Sequence, residues 1–196
     1  MTKGRWASVW HQLDEVSKQH PESVLEIGPG PGIFKITAAT FGLNVKTLDI
    51  DPALKPDYIG SADEIPLPDN SFDAVCAFQV LEHLPFDISM KAFQEMIRVA
   101  RNSVIISLPQ AGQCWPNTIA IPYIREIRFL IKNPFRKSKK HVFDGEHHWE
   151  IGKQGYELSR ILDAIQLHAP SYSKITTYRV HENPYHRFFV LRLGNR

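Results

Sequence analysis

Val24-Leu25-Glu26-Ile27-Gly28-Pro29-Gly30-Pro31-Gly32 is the stretch that decides the reading of this chain. Val24 to Ile27 has the apolar, branched character of a short buried strand. Three alternate glycines follow, and then Ile33-Phe34-Lys35-Ile36-Thr37-Ala38-Ala39, an apolar run of helical type. A strand, a glycine turn and a helix start form a nucleotide-binding corner. The glycines admit positive φ and let a ligand lie on the backbone, and the first helical N–H groups point at that ligand. A tight βα turn in any α/β protein would use similar residues, so the corner needs support from residues beyond it.

The details of the corner bear on the ligand. A dinucleotide corner has the pattern G-x-G-x-x-G, which would place its third glycine at position 33. Here position 33 is Ile33 and the third glycine is Gly32. Glu26 precedes the turn, where a carboxylate repels a pyrophosphate and suits a cationic, phosphate-free ligand. This arrangement resembles the class I S-adenosylmethionine-dependent methyltransferases, and within them the small-molecule branch related to the quinone-biosynthesis enzymes. The resemblance implies a Rossmann-like α/β fold. Its sheet is seven-stranded and mostly parallel, with an antiparallel last strand and helices on both faces. It also implies S-adenosyl-L-methionine as cofactor, with its ammonium and sulfonium near Glu26 and its body over Gly28, Gly30 and Gly32.

The rest of the first half extends the match. Asn44 to Asp51 reads as a second strand, and Asp49 falls 21 residues after Gly28. An acid at that point can accept both ribose hydroxyls of a nucleoside. Leu48-Asp49-Ile50-Asp51-Pro52 is similar to the family's second-strand pattern, which makes Asp49 the expected ribose ligand and Ile50 its neighbour. Asp51 suits the cap of a short turn begun by Pro52. Tyr58-Ile59 is a short third strand. Gly60-Ser61-Ala62-Asp63 resembles the family's adenine loop, with Asp63 for the exocyclic amine and Ala62 for the ring edge; a plain turn role for Asp63 is the alternative. Ala74 to Phe78 reads as the central strand, so Phe78 and Gln79 at its carboxyl end should border donor and acceptor. His83, in Leu81-Glu82-His83-Leu84, fits a satisfied structural histidine as well as a base.

Ile88 to Ala100 has helical spacing of Phe93, Met96, Ile97 and Ala100. Ser103 to Pro109 is nearly continuously apolar, as a strand buried on both faces should be. The βα rhythm then stops. Residues 110–149 read as an inserted substrate lid within a single methyltransferase domain of residues 1–196. Ile119 to Ile131 is read as a helix kinked near Pro122. From Arg125 to His141 there are seven Lys/Arg residues and one acid, Glu126. A solvated basic face accounts for that run; so does recognition of an anionic or lipid-linked acceptor, with peripheral membrane contact through 119–140. Gly145-Glu146-His147-His148-Trp149-Glu150 closes the insert. Adjacent side chains diverge, so the sequence predicts no metal there; it offers a histidine or glutamate of this run, His147 and His148 first, as candidate base for the acceptor, and a hydrogen-bonded lid anchor as the alternative. Gly155 to Leu167 reads as the last helix, followed by β-rich segments at 174–180 and 187–193. At the other end, Trp6 to Val16 has helical spacing that suits packing against the sheet edge or covering the cofactor, with Trp6 and Trp10 expected to pack inward.

Composition sets the outer bounds. The chain has 196 residues, 43% hydrophobic and 22% charged, with a net charge of +2. These are ordinary values for a globular domain, and so small an excess charge gives no reason to expect a nucleic-acid partner. Cys76 and Cys114 are far apart in sequence, which speaks for a reducing, cytoplasmic setting and a core role for Cys76. The expected activity is methyl transfer to a small-molecule or lipid/glycan-linked acceptor. A catalytically idle cofactor-binding module and a nicotinamide-dependent oxidoreductase are the competing readings, the second disfavoured by the Gly32/Ile33 spacing and by Glu26.

Overall fold

The computed structural model describes residues 2–121, 123, 125–135, 137–143 and 145–194. Helix α1 (Lys3–Ser17) leads into strand β1 (Val24–Ile27), helix α2 (Ile33–Thr40), strand β2 (Val45–Asp49), strand β3 (Tyr58–Ile59), strand β4 (Phe72–Phe78), helix α3 (Phe86–Val99) and strand β5 (Ala100–Pro109). Strands β6 (Cys114–Ile121) and β7 (Arg125–Lys132) follow, then helix α4 (Leu158–His168) and strands β8 (Lys174–Arg179) and β9 (His186–Arg192).

Seven strands form one sheet in the order β3-β2-β1-β4-β5-β9-β8. Neighbours from β3 to β5 are parallel, whereas β9 is antiparallel to both β5 and β8. The final strand is thus the one that runs against the rest, as the resemblance implies. It can do so because only a short loop, not a crossover helix, separates it from β8.

Side-chain alternation divides the core into two layers. Leu25, Ile27, Val75, Ala77, Val104 and Ile106 face α3 and α4, packing with Phe93, Met96, Ile161 and Ile165. Val24, Ala74, Cys76 and Ile105 face the other way, against Val16 of α1 and Phe34 and Ala38 of α2. A period-two strand between two helical layers must be apolar at every position, and β1 and the middle of β4 are buried throughout. Glu26 is the exception in β1. It sits in register with Cys76, on the α1–α2 face.

Chain order reverses direction between β1 and β4, whose ends Ile27 and Ala77 are paired. Ligands of open α/β sheets bind outside the carboxyl ends of strands at such a switch point. The glycine turn after β1 and the turn after β4 lie there side by side.

Three expectations are corrected. The expected helix over Ile119–Ile131 is instead part of an antiparallel hairpin, with Trp115 opposite Ile131, Asn117 opposite Phe129 and Ile119 opposite Ile127. Ile127, Phe129 and Ile131 recur at every second position, which is strand periodicity, and branched or aromatic residues favour it. Pro122, the expected kink, lies outside the described residues. Trp6 and Trp10 are exposed, because the inward face of α1 is formed by Val9, Leu13 and Val16. The last helix begins at Leu158, not at Gly155.

Candidate active site

The glycine turn is held by backbone bonds. The N–H of Gly28 donates to Leu48 (2.9 Å), and that of Gly32 to Pro29 (2.9 Å). Gly28, Gly30 and Gly32 have φ of 64°, 50° and 74°. Their roles differ. A Cβ on Gly28 would lie 2.7 Å from Val80 Cγ2, so this glycine lets the β1 and β4 turns touch. Nothing lies within 4 Å of a Cβ built on Gly30 or Gly32. Those two leave open space over the backbone, as a ligand cradle requires.

A cavity of about 840 Å³ opens above this turn, lined by Glu26, Gly28, Gly30, Phe78, His83 and His147 among others. Thr2, Arg5 and Gln12 close one side, so α1 covers the site as well as packing on the sheet. A second cavity of about 350 Å³ adjoins it and shares Gly28, Gly30, Gln79 and His83. Its own walls include Asp49, Ile50, Ala62 and Val80. The two together run from the end of β1 past the ends of β2 and β4.

Glu26 is 4% exposed, and its Oε2 has no hydrogen-bond partner among the described residues. Burial raises its pKa to about 8, opposed by the positive charge of Lys35. A carboxyl group in this state accepts a proton at neutral pH unless a cation enters the cavity.

Asp49 ends β2 and accepts the N–H of Asp51 through Oδ1 (2.9 Å). Asp51 caps the short turn at Pro52–Leu54, accepting from Ala53 N–H (2.8 Å). Gln79 has φ of 58°, a strained conformation for a residue with a side chain. It is locked by N–H donation to Ser107 (3.0 Å) and an amide contact with Ser107 Oγ (3.3 Å). Asp63 is placed differently from Ala62. Its carboxylate pairs with Ser61 and with Lys91 (3.2 Å), which hold its pKa low, and Ala62, not Asp63, lines the cavity.

The wall of the cavity formed by His83, His147 and Glu150 is assembled from three separate segments. Trp149 is fully buried and donates its indole N–H to Ser89 Oγ (3.0 Å). His148 N–H donates to the Glu82 carbonyl (2.8 Å), and Ile151 N–H to Pro109 (3.1 Å). These bonds dock the end of the insert against the turn after β4 and bring His147 beside His83, with ring centroids 4.9 Å apart. His147 Nδ1 lies 3.0 Å from Glu150 Oε1, which also accepts from the Tyr185 hydroxyl (2.7 Å). Desolvation pushes the Glu150 pKa up, but its bonds from His147 and Tyr185 and the charge of Lys153 outweigh that and hold it below the usual value. His148 turns away from the cavity to pack on Phe143, at 4.6 Å between centroids, so the two adjacent histidines have separate environments. Sequence reasoning offers a glutamate of the 145–150 segment beside its histidines, passes over Glu82 and Tyr185, and leaves His83 undecided. Glu82-His83 at the carboxyl end of the central strand is the available signal.

Tyr185 also lines a third cavity of about 830 Å³. Lys132, Lys137, Lys139, Lys153, Arg179 and Arg187 surround it, and Arg179 and Arg187 are partly buried.

Residues 25–108 match a family described as "Methyltransferase domain". No curated protein sequence matches the chain. Among solved structures, an S-adenosylmethionine-dependent methyltransferase from Mesorhizobium loti is 15% identical, with 98% of this chain and 99% of that one covered and a TM-score of 0.60. The glycopeptide N-methyltransferase MtfA, crystallised with S-adenosyl-L-homocysteine, is 10% identical over 96% of this chain and 89% of its own, with a TM-score of 0.62. The chain spans 41% of the length of a methyltransferase from Anabaena variabilis, at 25% identity, 47% coverage of this chain and a TM-score of 0.42. Residues 25–108 are thus similar to a methyltransferase domain, and the chain as a whole shares the fold of these structures. Among the described residues, no helix is long and apolar enough to cross a membrane.

Proposed function

We propose that this protein uses S-adenosyl-L-methionine to methylate a small anionic acceptor, free or carried on a lipid or glycan. The observation that carries the reading is Glu26: a carboxyl group with an unpartnered oxygen, buried at the head of a glycine cradle with room over its backbone. Such a group calls for a cation, and the cofactor's methionine end provides one. Gly28, Gly30 and Gly32 hold that end on the backbone, Asp49 receives the ribose hydroxyls, and Ile50, Ala62 and Gln79 border the base. S-adenosylmethionine would supply there an activated methyl group on a sulfonium, whose carbon the acceptor's lone pair would bond as the carbon–sulfur bond breaks and the electron pair returns to sulfur as a neutral thioether.

The residues of this chain then have two tasks, alignment and water exclusion. Phe78 and α1 shield the donor cavity, and the Trp149 anchor keeps His83, His147 and Glu150 on its acceptor side. The basic cavity beyond Tyr185 supports an anionic acceptor, since six cationic side chains line it. The β6–β7 hairpin exposes Ile119, Ile127 and Phe129, which supports an acceptor presented at a lipid surface. Incubation with methyl-labelled cofactor and an anion-exchange fraction of a small-molecule or lipid extract tests the reading. Label transferred to an anionic product supports it. Retention of all label on the donor, together with no heat of binding for adenosylhomocysteine, removes it.

A further inference from the structure

We propose that Glu82, His83 and His147 bind a divalent transition-metal ion on the acceptor side of the cavity. The site starts from Glu82, in the short turn Leu81–His83 that follows β4. Its side chain is fully buried, and neither carboxylate oxygen bonds to another described residue. A buried carboxyl group without a donor is costly, and structures keep one where a cation can compensate it. Here a Glu82 oxygen and one ring nitrogen from each of His83 and His147 lie within 4.8 Å of one another. Metal bonds of roughly 2.0–2.2 Å place ligand atoms roughly 3–4 Å apart, so a small side-chain adjustment closes the set on one ion.

The surroundings of the two imidazoles support the same conclusion. His83 Nδ1 lies 3.0 Å from the Glu146 carbonyl. A carbonyl only accepts, so Nδ1 donates and Nε2 is the nitrogen placed to ligate. His147 Nδ1 faces the Glu150 carboxylate, which Tyr185 and Lys153 hold in turn. A carbonyl behind one ring and a carboxylate behind the other is the outer-shell arrangement that orients ligating histidines. Two imidazoles and one carboxylate suit Zn²⁺, Mn²⁺ or Fe²⁺ better than Mg²⁺ or Ca²⁺, which take mainly oxygen ligands. Three protein ligands leave positions open. Both histidines line the donor cavity, so those positions face the bound acceptor. If the methyltransferase reading holds, the ion there binds an acceptor oxygen and lowers its pKa, and His147 serves as a ligand and not as the base that the sequence suggests. The metal site itself does not depend on that reading.

The test is calorimetric titration of the untagged, chelator-treated protein with Zn²⁺ and with Mn²⁺, no cofactor being present. Co²⁺ serves as an optical probe of nitrogen ligation. One ion per chain is expected with micromolar or tighter affinity. Glu82→Gln and His83→Ala should each weaken it by about 100-fold or more, and Glu150→Gln by about 10–100-fold. Circular dichroism identifies any variant that has not folded, and the remaining ones decide the outcome. Failure of the wild-type chain to take up an ion while it still binds adenosylhomocysteine overturns the site and leaves the methyltransferase reading standing. Uptake that survives all three substitutions also overturns it. Ion uptake without adenosylhomocysteine binding keeps the site and removes the methyltransferase reading.

Discussion

The two sides of the central cavity are built by different means. On the donor side, Glu26, the glycine turn and Asp49 lie within 24 residues of sequence and are placed by the ends of adjacent parallel strands. On the acceptor side, Glu82-His83, His147-Glu150 and Tyr185 come from three distant stretches. They meet because Trp149 and a few backbone bonds pin the insert to the sheet. A strand end fixes a side chain as rigidly as the core beneath it, whereas a docked loop is only as fixed as its anchor. Sensitivity to mutation should therefore divide along this line.

The largest effect should come from the anchor. Trp149→Ala removes a fully buried indole and its bond to Ser89. It should cost about 3–5 kcal/mol in denaturant unfolding. A loss below about 1 kcal/mol would mean that the insert is held elsewhere. Next comes Asp49→Ala, which on the proposed function would strand ribose hydroxyls without touching the core. Adenosylhomocysteine binding should fall by about 2–4 kcal/mol with unfolding unchanged, and an unchanged dissociation constant would remove Asp49 from the site.

The glycines separate structure from ligand contact within one turn. Gly28→Ala drives a Cβ against Val80 at a φ of 64° and should cost about 1–3 kcal/mol of stability. Gly30→Ala, with open space around its Cβ, should cost about 1 kcal/mol and act mainly on cofactor affinity. Equal behaviour of the two would contradict the division. The smallest effect should come from the basic cavity. Neutralising Lys137 and Lys139 to glutamine should raise the acceptor KM severalfold and leave cofactor affinity alone, because exposed charges contribute little each.

This division also explains what the sequence discloses. The donor half is legible because its spacing is local: a strand, alternate glycines and an acid at a fixed distance arise from the geometry of a βαβ unit. The order of the closing strands comes from the resemblance. The hairpin escapes because Pro116 and Pro122 suggest a kinked helix, while the alternation of Ile127, Phe129 and Ile131 carries the true period. Hydrophobicity alone sends Trp6 and Trp10 inward, although Val9 and Val16 occupy that face. Glu82 and His83 cannot be joined to His147 from sequence. Their contact depends on a docking bond between distant parts of the chain, from His148 N–H to the Glu82 carbonyl, and on the anchor at Trp149. Asp63 matches its motif, yet its carboxylate is engaged by Ser61 and Lys91.

Glu26 as the receptor of a cation is tested most directly by calorimetry with adenosylhomocysteine from pH 6 to 9, in buffers of different ionisation heat. In the free protein the Glu26 pKa is raised by burial to about 8 from 4.5. The folded chain thus holds a proton that the unfolded chain releases, so this group makes the ligand-free protein less stable as pH rises from 4.5 to 8. Entry of the ligand's ammonium should expel that proton. At pH 7 the wild-type protein should release close to one proton per ligand bound, and its affinity should climb with pH and level off above about 8. Glu26→Gln should bind about 100-fold more weakly, release no such proton and lose the pH dependence. Full affinity in Glu26→Gln, with the same proton balance as the wild type, would contradict the account.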